Sequence, residues 1–240
     1  MIILSGWRAR LGVLVPSVNT MMEPEFYRMA PQGVSVHFAR VKQKEDTVEE
    51  LRRMMDYVPN AVADLADAEV DCIAFGCTSG SLIGGPGYDE QLIKRIKEVT
   101  AIPAVTTSTA VISALKELEI KSLCVATPYH EDINQKEREF LESHGFRVLN
   151  IKGLNCDGPE TADLPIKRVY KHAKEVFRPD ANGLFMSCTD LRTLDIIQAL
   201  EYDLGKPIVS SNQATMWMML REVNIGEPIH GYGELLSRNR

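Results

Sequence analysis

The sequence predicts an α/β fold of two pseudo-symmetric parallel-sheet half-domains, with the active site in the cleft between them. Three observations predict it. Short apolar runs alternate with longer amphipathic segments. The short runs lack period-two alternation, as strands buried on both faces do. Three blocks of sequence recur in the same order in the two halves of the chain.

The expected strands, in order, are Leu11–Val15, Val34–Arg40, Cys72–Phe75, Ala104–Thr106, Ser122–Ala126, Arg147–Ile151, Gly183–Met186 and Pro207–Ser210. Helical spacing fills the gaps. Tyr88–Val99 sets Leu92, Ile93, Ile96 and Val99 on one face, and Ala110–Leu118 does so with Val111, Ala114, Leu115 and Leu118. Leu191–Leu204 carries Leu194, Ile197, Leu200 and Leu204 before the stop signals Gly205 and Pro207. Asn212–Val223 is a further helix. Thr47–Leu65 has helical period, but Pro59 lacks an N–H and must break or kink it. Alternation of this kind implies right-handed βαβ units and a parallel sheet.

The repeat is read block by block. Leu11–Ser17 resembles Ser122–Tyr129: each is a strand ending in a Pro-containing turn, followed by an Asn, Asn19 or Asn134. Asp71–Thr78 resembles Asn182–Thr189, and Ile102–Ser108 resembles Lys206–Asn212. The first two pairs lie about 111 residues apart and the third 104. An internal duplication follows, with a boundary near Glu119–Lys121. The expected units are an N-terminal half, 1–120, and a C-terminal half, 121–240, with the C-terminal tail packing back on the first.

Composition narrows the function. The 240 residues are 45% hydrophobic and 25% charged, ordinary for a soluble globular chain. No apolar stretch reaches the roughly 18 residues of a membrane helix, and the start of the chain is too short an apolar run for a secretory signal. A cytoplasmic protein is expected. The net charge is −6 and no Lys/Arg block stands out, which argues against nucleic acid as a partner. The five cysteines form no C-x-x-C pair and no zinc spacing, so no metal is expected.

Ligands of open α/β sheets bind beyond the carboxyl ends of the strands. Each matched block is a strand end, so Pro16–Asn19, Cys77–Ser81, Thr127–Tyr129 and Cys188–Thr189 should converge. Cys77 and Cys188 stand at equivalent positions, each after an apolar strand and each followed by Thr. Two thiols facing one substrate can act as base or nucleophile and as acid. That suits proton exchange beside a carboxylate, or reversible addition to a carbon–carbon double bond. Backbone N–H groups at the turns, with Thr78, Ser79, Ser81 and Thr189 hydroxyls, can cradle an anion and favour a thiolate. The bland alternative is a packed small hydrophobe, and it is the reading for Cys72, Cys124 and Cys156. The repeat reverses it for Cys77 and Cys188. Asn19 and Tyr129 are turn residue types at the expected cleft. Asn155 sits in the turn-rich loop Gly153–Pro159, and Arg192 is a candidate to orient a carboxylate. The five histidines have no matched partners and read as surface or supporting residues.

Four segments carry a family resemblance: Val15–Glu25, Gly76–Ser81, Ala126–Asn134 and Ser187–Thr193. They resemble maleate cis-trans isomerase, and more broadly the aspartate/glutamate racemase superfamily that includes arylmalonate decarboxylase. The tail Gly231–Leu236 is similar too. The resemblance spans about Arg10 to Leu236. It implies two similar α/β halves, no metal and no organic cofactor. It implies that Cys77 is the nucleophile that adds to the double bond of maleate and that Cys188 protonates the adjacent carbon. Rotation and elimination then give fumarate. Asn19, Thr78, Ser79, Tyr129 and the Thr189–Asp190 backbone match positions that hold the carboxylates, and Asn155 is a further contact implied from its loop. The decarboxylase has Gly where Cys77 stands, which disfavours one-thiol decarboxylation. The family commonly dimerises, so a homodimer is expected. Two other readings stay open: a two-cysteine racemase of an acidic amino acid, and a two-lobed anion binder without turnover.

Overall fold

The computed structural model describes residues 5–45, 47–156 and 158–238. All eight expected strands form, within one or two residues at either end. They are β1 (Ala9–Pro16), β2 (Val34–Val41), β3 (Cys72–Phe75), β4 (Ala104–Thr106), β5 (Ser122–Thr127), β6 (Arg147–Gly153), β7 (Gly183–Met186) and β8 (Ile208–Ser210). They build two four-stranded parallel sheets, ordered β2-β1-β3-β4 and β6-β5-β7-β8. The second order repeats the first.

The register repeats as well. Leu14 pairs with Phe75 at the end of the β1–β3 ladder, and Ala126 with Met186 at the end of β5–β7. One residue further on, Gly76 N–H donates to the Leu14 carbonyl and Ser187 N–H to the Ala126 carbonyl. Cys77 and Cys188 therefore leave their sheets at the same backbone position. In each sheet the chain order reverses between these two central strands, the place where open α/β sheets offer a crevice.

The helices of the first half are α1 (Met22–Met29), α2 (Val48–Arg53), α3 (Val58–Asp67), α4 (Thr78–Leu82), α5 (Tyr88–Val99) and α6 (Thr107–Glu117). Thr47–Leu65 is broken as Pro59 requires. The chain runs from α2 through a 3₁₀ turn at Met54–Tyr57 into α3, which holds Pro59 in its first turn. The second half carries α7 (Glu131–Ser143), α8 (Glu160–Asp163), α9 (Ile166–Val176), α10 (Ile197–Leu204), α11 (Ser211–Glu222) and α12 (Glu234–Ser237). Helix α10 begins six residues later than the apolar spacing from Leu191 suggests. The backbone before it is drawn into contacts across the cleft, described below.

Helices α6 and α11 follow the last strand of each half and pack on one another. Each starts with a hydroxyl cap, Thr106 accepting from Thr109 N–H and Ser210 from Gln213 N–H. Such caps are worth about 1 kcal/mol each. One apolar cluster spans both halves there, joining Val13, Val105, Val111 and Leu115 to Phe185, Val209, Met216 and Trp217. Each such side chain contributes roughly 1.5–3 kcal/mol when fully buried. The tail ties in through Arg8–Glu227 at 2.7 Å, Tyr232 Oη to the Arg28 carbonyl at 3.2 Å, and Arg238 Nη1 to the Glu117 carbonyl at 2.7 Å. Among the described residues, no helix is long and apolar enough to cross a membrane.

Candidate active site

A narrow cavity lies where the carboxyl ends of β1, β3, β5 and β7 meet. Asn19, Cys77, Thr78, Ser79, Tyr129, Cys188, Thr189 and Asp190 line it. Asn155 does not. It is an exposed residue in the left-handed region, at φ 57°, and serves its loop as a turn. Arg192 is also turned away; its guanidinium reaches the Ala162 carbonyl at 3.5 Å. A wider open cleft of about 570 Å³ sits at the amino ends of β5 and β7, among Lys116, Lys121 and His144. It holds no cysteine and lies on the face that open α/β sheets do not use for ligands.

Both cysteines are buried, but their turns differ. Cys77 has extended backbone and caps α4, its Sγ accepting from Gly80 N–H at 3.3 Å, with Ser79 Oγ at 3.7 Å. Cys188 has φ 99°, a region that L-residues occupy at a cost of about 1–3 kcal/mol. Its Sγ accepts from Asp190 N–H at 3.4 Å. No helix follows directly, although the apolar spacing predicts one from Leu191. The amides that would start one are taken by the other half. Glu25 of α1 accepts from Thr193 and Leu194 N–H, both at 3.0 Å.

These cross-cleft bonds hold Cys188 in place. Asn19 Nδ2 donates to Thr189 Oγ1 at 3.0 Å, and Thr189 Oγ1 donates to the Gly76 carbonyl at 3.2 Å. Thr20 and Met21 N–H donate to Asp190 Oδ1 at 2.8 and 3.1 Å. Ser211, the first residue of α11, joins the two turns directly. Its Oγ accepts from Thr78 Oγ1 at 2.8 Å and from Cys188 N–H at 3.1 Å. Asn212 Nδ2 donates to Glu25 Oε2 at 2.7 Å and to the Thr189 carbonyl at 3.0 Å. Burial pushes the Glu25 carboxyl above its ordinary range, while these donors pull it back. Glu25→Ala leaves three buried donors without an acceptor. It is expected to cost roughly 3 kcal/mol or more, read as a lowered urea midpoint.

Among the described residues, no lysine or arginine lines the cavity. The polar side chains that line it include the amide of Asn19 and the hydroxyls of Thr78, Ser79 and Tyr129. Arg40 stays outside, bracing the loop through the Ser17 and Asn19 carbonyls at 3.3 and 2.9 Å. Asn134 plays the matching part for Tyr129, donating to its carbonyl at 3.4 Å and accepting from Thr127 Oγ1 at 2.6 Å. The other thiols fit the packed reading. Cys72 and Cys124 are fully buried in β3 and β5, and burial pushes the Cys72 thiol up to about 12. Cys156 is half-buried.

The family model for arylmalonate decarboxylase matches residues 11–236. The chain belongs to that family. Within it, the chain is 26% identical to a maleate isomerase of Geobacillus stearothermophilus over 243 residues, covering 95% of this chain and 97% of the relative. It is 33% identical over 172 residues to an arylmalonate decarboxylase of Bordetella bronchiseptica, covering 68% and 69%. A solved maleate isomerase of Pseudomonas putida S16, a cysteine-to-alanine variant with maleate, superposes at a TM-score of 0.92 with 26% identity, over 95% of this chain and 97% of that one.

Two further residues line the cavity that the sequence reading does not place there, Gln43 and Gly158. Pro16 and Val18 also line it, within the segment Pro16–Asn19 expected to converge there. Gln43 lies just past β2 and gives no local signal. It is brought in because Ser17 Oγ donates to its carbonyl at 2.8 Å and accepts from its N–H at 3.0 Å.

Proposed function

We propose that the chain is a cofactor-independent cis-trans isomerase of a small unsaturated dicarboxylate, maleate giving fumarate. One observation carries this reading: two cysteines at equivalent strand ends, one from each half, line a single narrow cavity with no cationic side chain among the described residues. The relatives named maleate isomerase over nearly the full chain support it.

In this reading Asn19, Thr78, Ser79, Tyr129 and the Thr189–Asp190 backbone hold the two carboxylates. The Cys77 thiolate adds to one alkene carbon, forming a C–S bond as the π bond breaks. Cys188 gives its proton to the neighbouring carbon. The former double bond is now single and turns by half a rotation. The Cys188 thiolate takes a proton back, the C–S bond breaks, and Cys77 leaves as thiolate with the alkene restored as the trans isomer. Every atom is returned, so the cycle needs no oxidant or co-substrate. The half-domains 1–120 and 121–240 would act as the two jaws, and Asn155 as an outer contact from its loop. We take the protein to be cytoplasmic and a homodimer.

The test is a proton NMR spectrum of the protein with maleate in deuterated buffer. Fumarate should appear without additives, with deuterium in the recovered carbon skeleton if the Cys188 proton exchanges with solvent. Inert maleate alongside α-deuteration of aspartate or glutamate would replace this reading with the racemase, which the same thiol pair also suits. Carbon dioxide released from an arylmalonate would favour the one-thiol decarboxylase.

A further inference from the structure

Helices α1 and α7 occupy equivalent places in the two halves, and each carries one buried glutamate, Glu25 and Glu137. Their surroundings are opposite. Glu25 is gripped by three donors, as described. Glu137 is 1% exposed and has one: Ser187 Oγ donates to Glu137 Oε1 at 2.6 Å. Its Oε2 has no hydrogen-bond partner. Among the described residues, no ion pair includes it. Glu137 instead borders a small cavity with Leu82, Phe140 and Phe185, where Thr78 and Ser108 supply the polar atoms.

The location matters because Ser187 precedes Cys188 and Thr78 follows Cys77. Glu137 thus lies directly beneath both cysteine turns. We propose that Glu137 is a positioning residue: it stays uncharged under the two turns and, through Ser187, holds the strained backbone of Cys188. This inference rests on the two-thiol reading of the site. A neutral acid suits the task. An anion there would face the dicarboxylate across one turn of backbone, in a setting of low dielectric where repulsion is strong.

Apart from the Ser187 hydroxyl, the elements packed on Glu137 bring no group that would stabilise the charged form. Helix α4 brings only Thr78, Ser79, Gly80, Ser81 and Leu82. Strand β6, also packed against α7, brings Arg147 and Lys152, and both are exposed. On α7 itself Arg138 turns to the Val148 carbonyl and Glu142. The remaining charged residues of α7 (Glu131, Asp132, Lys136 and Glu139) are exposed or half-exposed. Burial pushes the Glu137 carboxyl up to about 8, against a modest opposing pull from Ser187. The native state therefore keeps a proton that the unfolded chain releases in the ordinary carboxylate range. Its contribution to stability is full at low pH and is lost as pH rises toward about 8.

The test uses Glu137→Gln, Glu137→Leu and Ser187→Ala in the full chain. Gln keeps an uncharged acceptor for Ser187. Infrared spectra should show a protonated carboxyl band at neutral pH that fades as pH rises through about 8 and is missing from Glu137→Gln. The fall in urea midpoint between pH 5 and pH 8 should flatten in Glu137→Gln. With maleate at neutral pH, Glu137→Gln should keep kcat and KM within about twofold, whereas Glu137→Leu and Ser187→Ala should lower kcat about tenfold with KM little changed. An ionised carboxylate at neutral pH, or a Gln variant as impaired as the Leu variant, overturns the proposal. If the parent protein does not turn over maleate, the isomerase reading fails. The infrared and denaturation results still decide the state of Glu137 in that case.

Discussion

Cys77→Ser should lower maleate turnover about a thousandfold or more, and Cys188→Ser should do so while leaving a different trace. A serine hydroxyl is far less acidic than a thiol, so Ser at 77 supplies almost no anion to add to the alkene. Cavity shape is kept, because the Gly80 N–H that caps on Cys77 Sγ at 3.3 Å can be met by an oxygen. Binding of a non-reacting dicarboxylate should therefore survive. At position 188 the nucleophile remains intact, water must supply the proton that completes the adduct, and the base that would remove it again is lost. Cys77 should then accumulate a covalent adduct, seen by mass spectrometry as the mass of one maleate added to the Cys77 peptide. The Cys77→Ser protein should show no adduct. Full turnover by either variant would end the two-thiol mechanism.

Gly153→Ala is expected to have the largest effect of any change outside the cavity wall. Gly153 ends β6, where a Cβ would lie 1.8 Å from the Tyr129 carbonyl oxygen and 2.8 Å from Asn134 Nδ2. The first is backbone and cannot swing aside. Either the end of β6 or the Tyr129 turn must move by more than an ångström. Overpacking of this kind costs about 1–3 kcal/mol. The functional cost is larger, since Tyr129 lines the cavity and a misplacement of about 1 Å can cost a hundredfold in rate. A lowered Tm with kcat/KM down about a hundredfold is the expected pair of results. Parent activity in Gly153→Ala would mean that the Tyr129 turn does not position substrate.

The strands were readable because burial on both faces leaves an unbroken apolar run, as in Leu11–Val15 and Gly183–Met186. Helices were readable where one apolar stripe faces the sheet, as in α5. Helix α7 carries a polar sequence, with Ile133, Phe140 and Leu141 its main apolar anchors, so apolar spacing does not name it. The misplaced start of α10 has another cause. The period through Leu191 and Leu194 is genuine, and both side chains are buried. Yet the amides of Thr193 and Leu194 bond Glu25, which is 168 residues away in sequence from Thr193. Local pattern cannot carry that information. The repeat made the two cysteine turns and Asn19 legible. Ser211 has a counterpart in Thr107, yet only its tertiary contacts with Thr78 and Cys188 bring it to the site, and Gln43 has no counterpart in the repeat at all.

Two copies of one turn in a symmetric dimer must share a conformation, because the symmetry axis maps each onto the other. Here the two turns sit in one chain at the same strand register, and they are free to diverge. One runs on into a helix and the other bends back at φ 99°. Handedness follows from that difference. A flat alkene has two faces, and a site with two unlike walls offers its nucleophile to only one of them. In the proposed mechanism, the face on which each new bond forms follows from which half holds the strained cysteine.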